Sequence, residues 1–200
     1  MIKLILASGS PRRREILQNL GIPFEVVTSD ADEHCELTDP AAYVRELAAR
    51  KGLAVREELR RRGVELQDTL ILAADTVVAQ DSTILGKPAD RNDAVRMLTE
   101  LAGRDHAVYS GIALLMGDTV ATASERTAVH VAPLTHEQIL RYVATGEPDD
   151  KAGSYAMQGL FSPYITGIEG CYFNVVGLPV HALFALAKDT FDIDLYSLRG

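Results

Sequence analysis

A chain of 200 residues with 47% hydrophobic content is long enough to bury a sizeable core, and no linker, repeat or low-complexity run interrupts it, so one domain over residues 1–200 is expected. Its 28 acidic against 20 basic side chains, a formal net charge of -8, argue against general electrostatic binding of a nucleic acid polymer. The start MIKLILA is too short for a signal-peptide core and no 18 apolar residues run together, so neither export nor a membrane span is expected. Cys35 and Cys171 stand far apart without a CxxC or Cys/His cluster, which fits free thiols in a reducing cytoplasm.

In chain order, residues 2–7 read as a buried strand, and Ser10 with Pro11 opens a helix that Gly21 stops. PFEVVTS (23–29) reads as a second strand, and the acidic stretch 30–39 as loop. Asp39-Pro40 starts a long amphipathic helix through Val44, Leu47 and Ala48 to about Arg62. TLILAADTVVAQ (69–80) gives the strongest strand signal, with an acid in its middle. After a GKP turn (86–88), Asp90 caps a helix that runs to Gly103. Two β-rich runs joined by Gly117-Asp118 predict an antiparallel hairpin. Thr135 and Gln138 form a capping box before a helix reaching about Thr145. CYFNVVG (171–177) reads as β-prone, and a last helix is predicted from about Leu178 to Lys188. Helices alternating with strands, plus one long hairpin, predict an α/β fold with a mixed sheet.

The segment SGSPRRR (8–14) places two serines and three arginines where a strand delivers the chain into a helix N-terminus. Unpaired backbone N–H groups and the positive end of the helix dipole meet there, and arginine forks match phosphate oxygens. Taken alone, the pattern allows either a phosphate site or a capped helix with solvated arginines. No Walker loop and no GxGxxG is present. Asp75 in an apolar run is expected at the strand's end, facing a cation or donors, as a metal ligand, a base or a turn cap; Thr76 beside it offers a hydroxyl. Glu33, and less so Asp32, are the other hard oxygen donors suited to a magnesium ion that takes one or two carboxylates plus phosphates. With five lysines against fifteen arginines, Lys51, Lys87 and Lys151 stand out, although a helix-face Lys51 and a turn Lys87 are solvated by default. Gln158 in a glycine-containing loop can present an amide to a base edge. The five histidines show no metal spacing.

LASGSPRRREIL, Glu33, Lys51, AADT (73–76), GKP, KAGSYAMQG and NVVGLP, in this order and over nearly the whole chain, resemble the Maf family of nucleotide pyrophosphatases. The KAG-Y-QG form with Gln158 resembles the branch acting on dTTP and UTP. The resemblance implies an elongated α/β fold with two lobes around a cleft, related to inosine triphosphate pyrophosphatases. It also implies hydrolysis of a nucleoside triphosphate to the monophosphate and pyrophosphate with Mg²⁺ or Mn²⁺. By that resemblance, Asp75 is the catalytic aspartate, and Ser8, Arg13, Glu33, Lys51 and Lys87 are phosphate-binding or charged positions. Glu33 and Asp75 are then the metal ligands, and Arg12, Thr76 and Gln158 select the base. Arg14 is expected to be solvated.

Ala73, Ala156 and Cys171 depart from the family pattern, the first two at positions where glycine is common. A nucleotide-sensing regulator of septum formation and cell division, and the same hydrolysis on 7-methyl-GTP or ITP, stand as alternatives. A homodimer stays open as the assembly.

Overall fold

The apolar amino-terminal run forms β1 (Lys3–Leu6), and Pro11, whose fixed φ suits the first helical position, opens α1 (Pro11–Asn19). The computed structural model describes residues 2–28, 30–81 and 83–199. It continues with β2 (Glu25–Val26), α2 (Pro40–Arg61), β3 (Thr69–Gln80), β4 (Thr83–Leu85), α3 (Arg91–Leu101) and the hairpin β5 (Asp105–Met116) and β6 (Thr119–Val131). Helix α4 (His136–Val143), β7 (Ile165–Glu169), α5 (Tyr172–Val176) and α6 (Val180–Phe191) complete it. Among the described residues the strands form a seven-stranded mixed sheet in the order β2-β1-β3-β5-β6-β7, with β4 antiparallel to β3. β1 is parallel to β2 and β3, and β7 is antiparallel to β6.

The helix starts follow their caps. Asp39 accepts from Ala42 N and Asp90 from Asp93 N, and Thr135 and Gln138 make the expected capping box. Two expectations are corrected. The second strand shrinks to the two residues of β2, because its pairing with β1 covers only Glu25 and Val26; Ser29 lies outside the described residues. CYFNVVG is not a strand: Tyr172–Val176 is helical. There Asn174 Nδ2 donates to Val108 O and Thr127 Oγ1, both at 3.0 Å, and this buried anchoring overrides the β preference of Tyr, Phe and Val. The strand of this region is β7, just upstream.

The chain divides into two compact units. The first comprises Met1–Asp75, Ser110–Glu125 and Gly177–Gly200. Its core joins the buried face of α2 (Ala48, Val55, Leu59) to Ile71 and Ala73 of β3 and Ala113 and Leu115 of β5. Gly111 shares the face of Ala113 and Leu115, and a Cβ there would collide with the Val44 carbonyl. Helix α2 therefore lies with its backbone directly on β5.

The second unit comprises Thr76–Tyr109 and Arg126–Val176. Its core joins Met97, Leu98 and Leu101 of α3 to Val78, Val108 and Val129 and to Ile139 and Tyr142 of α4. Phe161 sits amid Tyr142, Tyr155 and Tyr164, with ring centroids 5.1, 5.1 and 5.4 Å away. Tyr155 also bonds His106 Nε2 at 2.7 Å, and burial pushes His106 down to about 4, so the imidazole is neutral at pH 7.

Gly111→Ala is expected to lower stability by about 1–3 kcal/mol, because a methyl group has no room between β5 and α2. Urea unfolding reads this as a lower midpoint at unchanged slope; a variant as stable as wild type would contradict that seating.

Candidate active site

Strand side chains alternate, so β3 presents Ile71, Ala73 and Asp75 on one face, the first two in the core with Ala48 and Val55 of α2. On α2, Lys51 is three residues after Ala48 and four before Val55, which places it on the same helical face. An apolar helix–strand contact thus continues into one acid and one base, and they meet. Lys51 Nζ donates to Asp75 Oδ1 at 2.6 Å and lies 2.8 Å from Glu33 Oε1.

Asp75 is only 9% exposed, and an unpaired carboxylate so placed would cost several kcal/mol. The expectation that it stands at the strand's end is corrected: it lies inside the twelve residues of β3, where Lys51 compensates its charge. Burial pulls the Lys51 ammonium down, but Asp75 and Glu33 together overcome this and hold it above the ordinary lysine value of 10.5.

The second part of the cluster comes from SGSPRRR. Ser10 stands at the N-cap of α1 but makes no capping bond with its side chain, and α1 carries no acid in its first turn. Ser8 is buried, and its Oγ accepts from Arg13 Nη1 at 3.0 Å and from Ser10 N at 3.3 Å. Arg13 Nε donates to Gly177 O at 2.8 Å, which fixes the plane of the guanidinium. Burial lowers the Arg13 pKa, Asp75 and Glu33 raise it, and Arg12, the next cation on α1, lowers it again. A pocket of about 390 Å³ is lined by Ser8, Arg13, Thr28, Glu33 and Lys51, among others. Arginine, lysine and hydroxyl donors facing one space suit an anion of several oxygens. Arg14 is not simply solvated: its Nη2 reaches Gly9 O at 3.2 Å.

Among the described residues, no group of three or more His, Cys, Asp or Glu side chains is arranged to hold a metal ion. Glu33 and Asp75 are two hard carboxylates gathered on one ammonium. Such a pair fits a cation that takes its other ligands from phosphate oxygens and water, and does not fit an all-protein cage.

The structure thus brings together Ser8, Arg13, Glu33, Lys51 and Asp75, with Arg12 half-buried beside Arg13. The other three predicted positions belong to the second unit. Thr76 is half-buried, Lys87 is exposed, and Gln158 is exposed with its Nε2 donating to the Tyr172 hydroxyl at 3.0 Å. The Lys87 and Gln158 segments are tied to one another, since Gly153 N donates to Gly86 O at 3.0 Å. Ala73 packs in the apolar core of the first unit, so its extra methyl adds core contact.

Sequence reasoning missed Tyr43, the Gly177 carbonyl and Tyr172. Tyr43 stands close to the charged cluster: burial lifts its phenol above the ordinary range, and Asp75, Cys35 and Glu33 lift it further. Its only signal was a place two turns before Lys51 on α2. Gly177 falls within NVVGLP, but a carbonyl's direction is not written in a residue type.

A family model described as "Maf-like protein" matches residues 3–190. A dTTP/UTP pyrophosphatase of Symbiobacterium thermophilum is 50% identical over 182 residues, covering 90% of each chain. Proteins of the same name from Pelotomaculum thermopropionicum and Bacillus cereus are 46% and 44% identical, covering 94% and 98% of this chain and 96% and 98% of their own. No helix among the described residues is long and apolar enough to cross a membrane.

A pKa raised in the folded state means that folding tightens the proton on Lys51, so its stabilisation is fully present below the ordinary value near 10.5 and is lost as pH rises through the higher folded value. Lys51→Met is therefore expected to be less stable than wild type by about 1–3 kcal/mol at neutral pH, less than for a fully buried pair because Lys51 is partly exposed. The gap should narrow above pH 10.5 in paired urea titrations; a gap independent of pH would contradict the ion pair.

Proposed function

The chain belongs to the Maf family, and from that membership and the geometry above we propose that it is a nucleoside triphosphate pyrophosphatase acting on dTTP and UTP. The observation that carries this reading is the Lys51 ammonium shared by Asp75 and Glu33 beside an anion pocket lined by Ser8 and Arg13.

In this reading the donors of Ser8, Arg13 and the α1 N-terminus hold the triphosphate, and their fixed directions stabilise charge without reorganising. Glu33 and Asp75 would hold Mg²⁺ or Mn²⁺, which when bound neutralises charge on the phosphate oxygens. Asp75 accepts a hydrogen bond from the attacking water and takes its proton as the water oxygen bonds to phosphorus. The phosphoanhydride bond between the α- and β-phosphates breaks, and pyrophosphate leaves with the nucleoside monophosphate as the second product. Lys51 and Lys87 offset the charge that develops on the leaving pyrophosphate.

Arg12, Thr76 and Gln158 select the base. A glutamine amide donates from Nε2 to O4 and accepts at Oε1 from N3–H of uracil or thymine, an edge that guanine presents differently. Two free cysteines fit the reducing cytoplasm in which such nucleotide pools occur.

Asp75→Asn keeps the volume of the side chain and removes its charge and basicity. Turnover of dTTP is expected to fall by on the order of 10² to 10⁴, with calorimetric affinity for the nucleotide changed only a few-fold. A fully active variant would remove Asp75 from this role.

A further inference from the structure

Gln158 lies in a short turn whose two ends are tied to the same pair of side chains. Tyr142 of α4, buried, donates its hydroxyl to Glu147 Oε2 at 2.8 Å and accepts from Ala156 N at 3.2 Å. Glu147 in turn accepts from Leu160 N with both carboxylate oxygens, at 3.1 and 3.0 Å. Between these anchors Gly159 N closes onto Ala156 O at 3.1 Å. A Cβ at Gly159 would collide with the Glu147 carboxylate, so the residue directly after Gln158 must be glycine for the anchor to form. Backbone positions two residues before and two residues after Gln158 are thus fixed by one carboxylate–phenol pair.

The chemistry of the pair suits a rigid clamp. Burial and the Glu147 carboxylate both push the Tyr142 pKa up, so the phenol stays a neutral donor at all working pH values. Bonds from N–H and O–H groups to an ionised carboxylate are roughly twice as strong as neutral ones. The clamp also has a counterpart on the side chain. Gln158 Nε2 meets the Tyr172 hydroxyl, and Tyr172 belongs to α5, which Asn174 secures to Val108 and Thr127. An exposed amide with a fixed backbone and a fixed neighbour has less freedom to lose when it binds a partner.

We infer that Glu147, with Tyr142, is a specificity-determining positioning residue: the clamp sets the direction of the Gln158 amide and so the preference for one nucleobase edge. This rests on the reading of Gln158 as the base-selecting group.

The test measures kcat and KM for dTTP and for dCTP in wild type, Gln158→Ala, Glu147→Gln, Tyr142→Phe and the double variant Glu147→Gln/Gln158→Ala. All are assayed well below their thermal midpoints. Glu147→Gln is expected to lower the ratio of kcat/KM for dTTP over dCTP by about fivefold, through KM for dTTP more than through kcat. Tyr142→Phe should move the ratio in the same direction, and it carries the test if Glu147→Gln does not fold. In the Gln158→Ala background, Glu147→Gln should leave the ratio nearly unchanged, because the residue acts through Gln158.

A ratio that Gln158→Ala changes but neither clamp variant does would overturn the clamp and leave the role of Gln158 intact. An equal effect of Glu147→Gln with and without Gln158 would overturn it as well. If Gln158→Ala leaves the ratio unchanged, or if no nucleotide is turned over, the underlying reading fails and the inference falls with it.

Discussion

The Lys51 ammonium, held between Asp75 and Glu33, is the interaction on which the first unit depends. A strand buried on both faces has no place for a lone carboxylate, and β3 is buried along nearly its whole length. Asp75 can occupy its position only because α2 is seated closely enough on the sheet to deliver a lysine. That seating comes from small residues: Gly111 lets the α2 backbone lie on β5, and Ala48 and Ala73 keep helix and strand close. Packing and site are therefore one construction. The same apolar contact that stabilises the unit also brings an acid and a base together, and Glu33 of the preceding loop reaches the same ammonium.

Beside this triad, Arg13 is bound at two points, by the Ser8 hydroxyl and the Gly177 carbonyl, and its desolvated guanidinium favours a nearby anion. The arginines of SGSPRRR, puzzling on an acidic chain, separate in the structure. Arg13 turns to the pocket, Arg14 closes on Gly9, and Arg12, which precedes both, sits half-buried. In the second unit the base-selecting candidate is handled differently: Gln158 stays exposed, polar side chains hold the backbone on either side of it, and its amide meets the Tyr172 hydroxyl.

Much of this was legible in the residues. The boundaries of α2, β3 and α3 followed from periodicity and from Asp39 and Asp90 as caps, and Gly117-Asp118 marked the hairpin. That Asp75 faces a cation or hydrogen-bond donors also followed from its place in an apolar run, while the partner itself required the register of α2 on the sheet. What escaped depended on tertiary reach. Tyr172 to Val176 is helical because a buried Asn174 finds partners on two strands, which no local propensity can express. β4 is too short to carry a pattern, and Glu147, a loop acid before a proline, has meaning only through a phenol and an amide that fold onto it. Motif order carried the family, since each short motif alone is compatible with an ordinary cap, turn or solvated charge.

Phosphorus NMR of the products formed from dTTP tests the central claim most directly. dTMP and pyrophosphate are expected in equal amounts, with no orthophosphate in the initial phase. Release of orthophosphate with dTDP would contradict cleavage between the α- and β-phosphates, and with it the assignment of Lys51 to the leaving pyrophosphate.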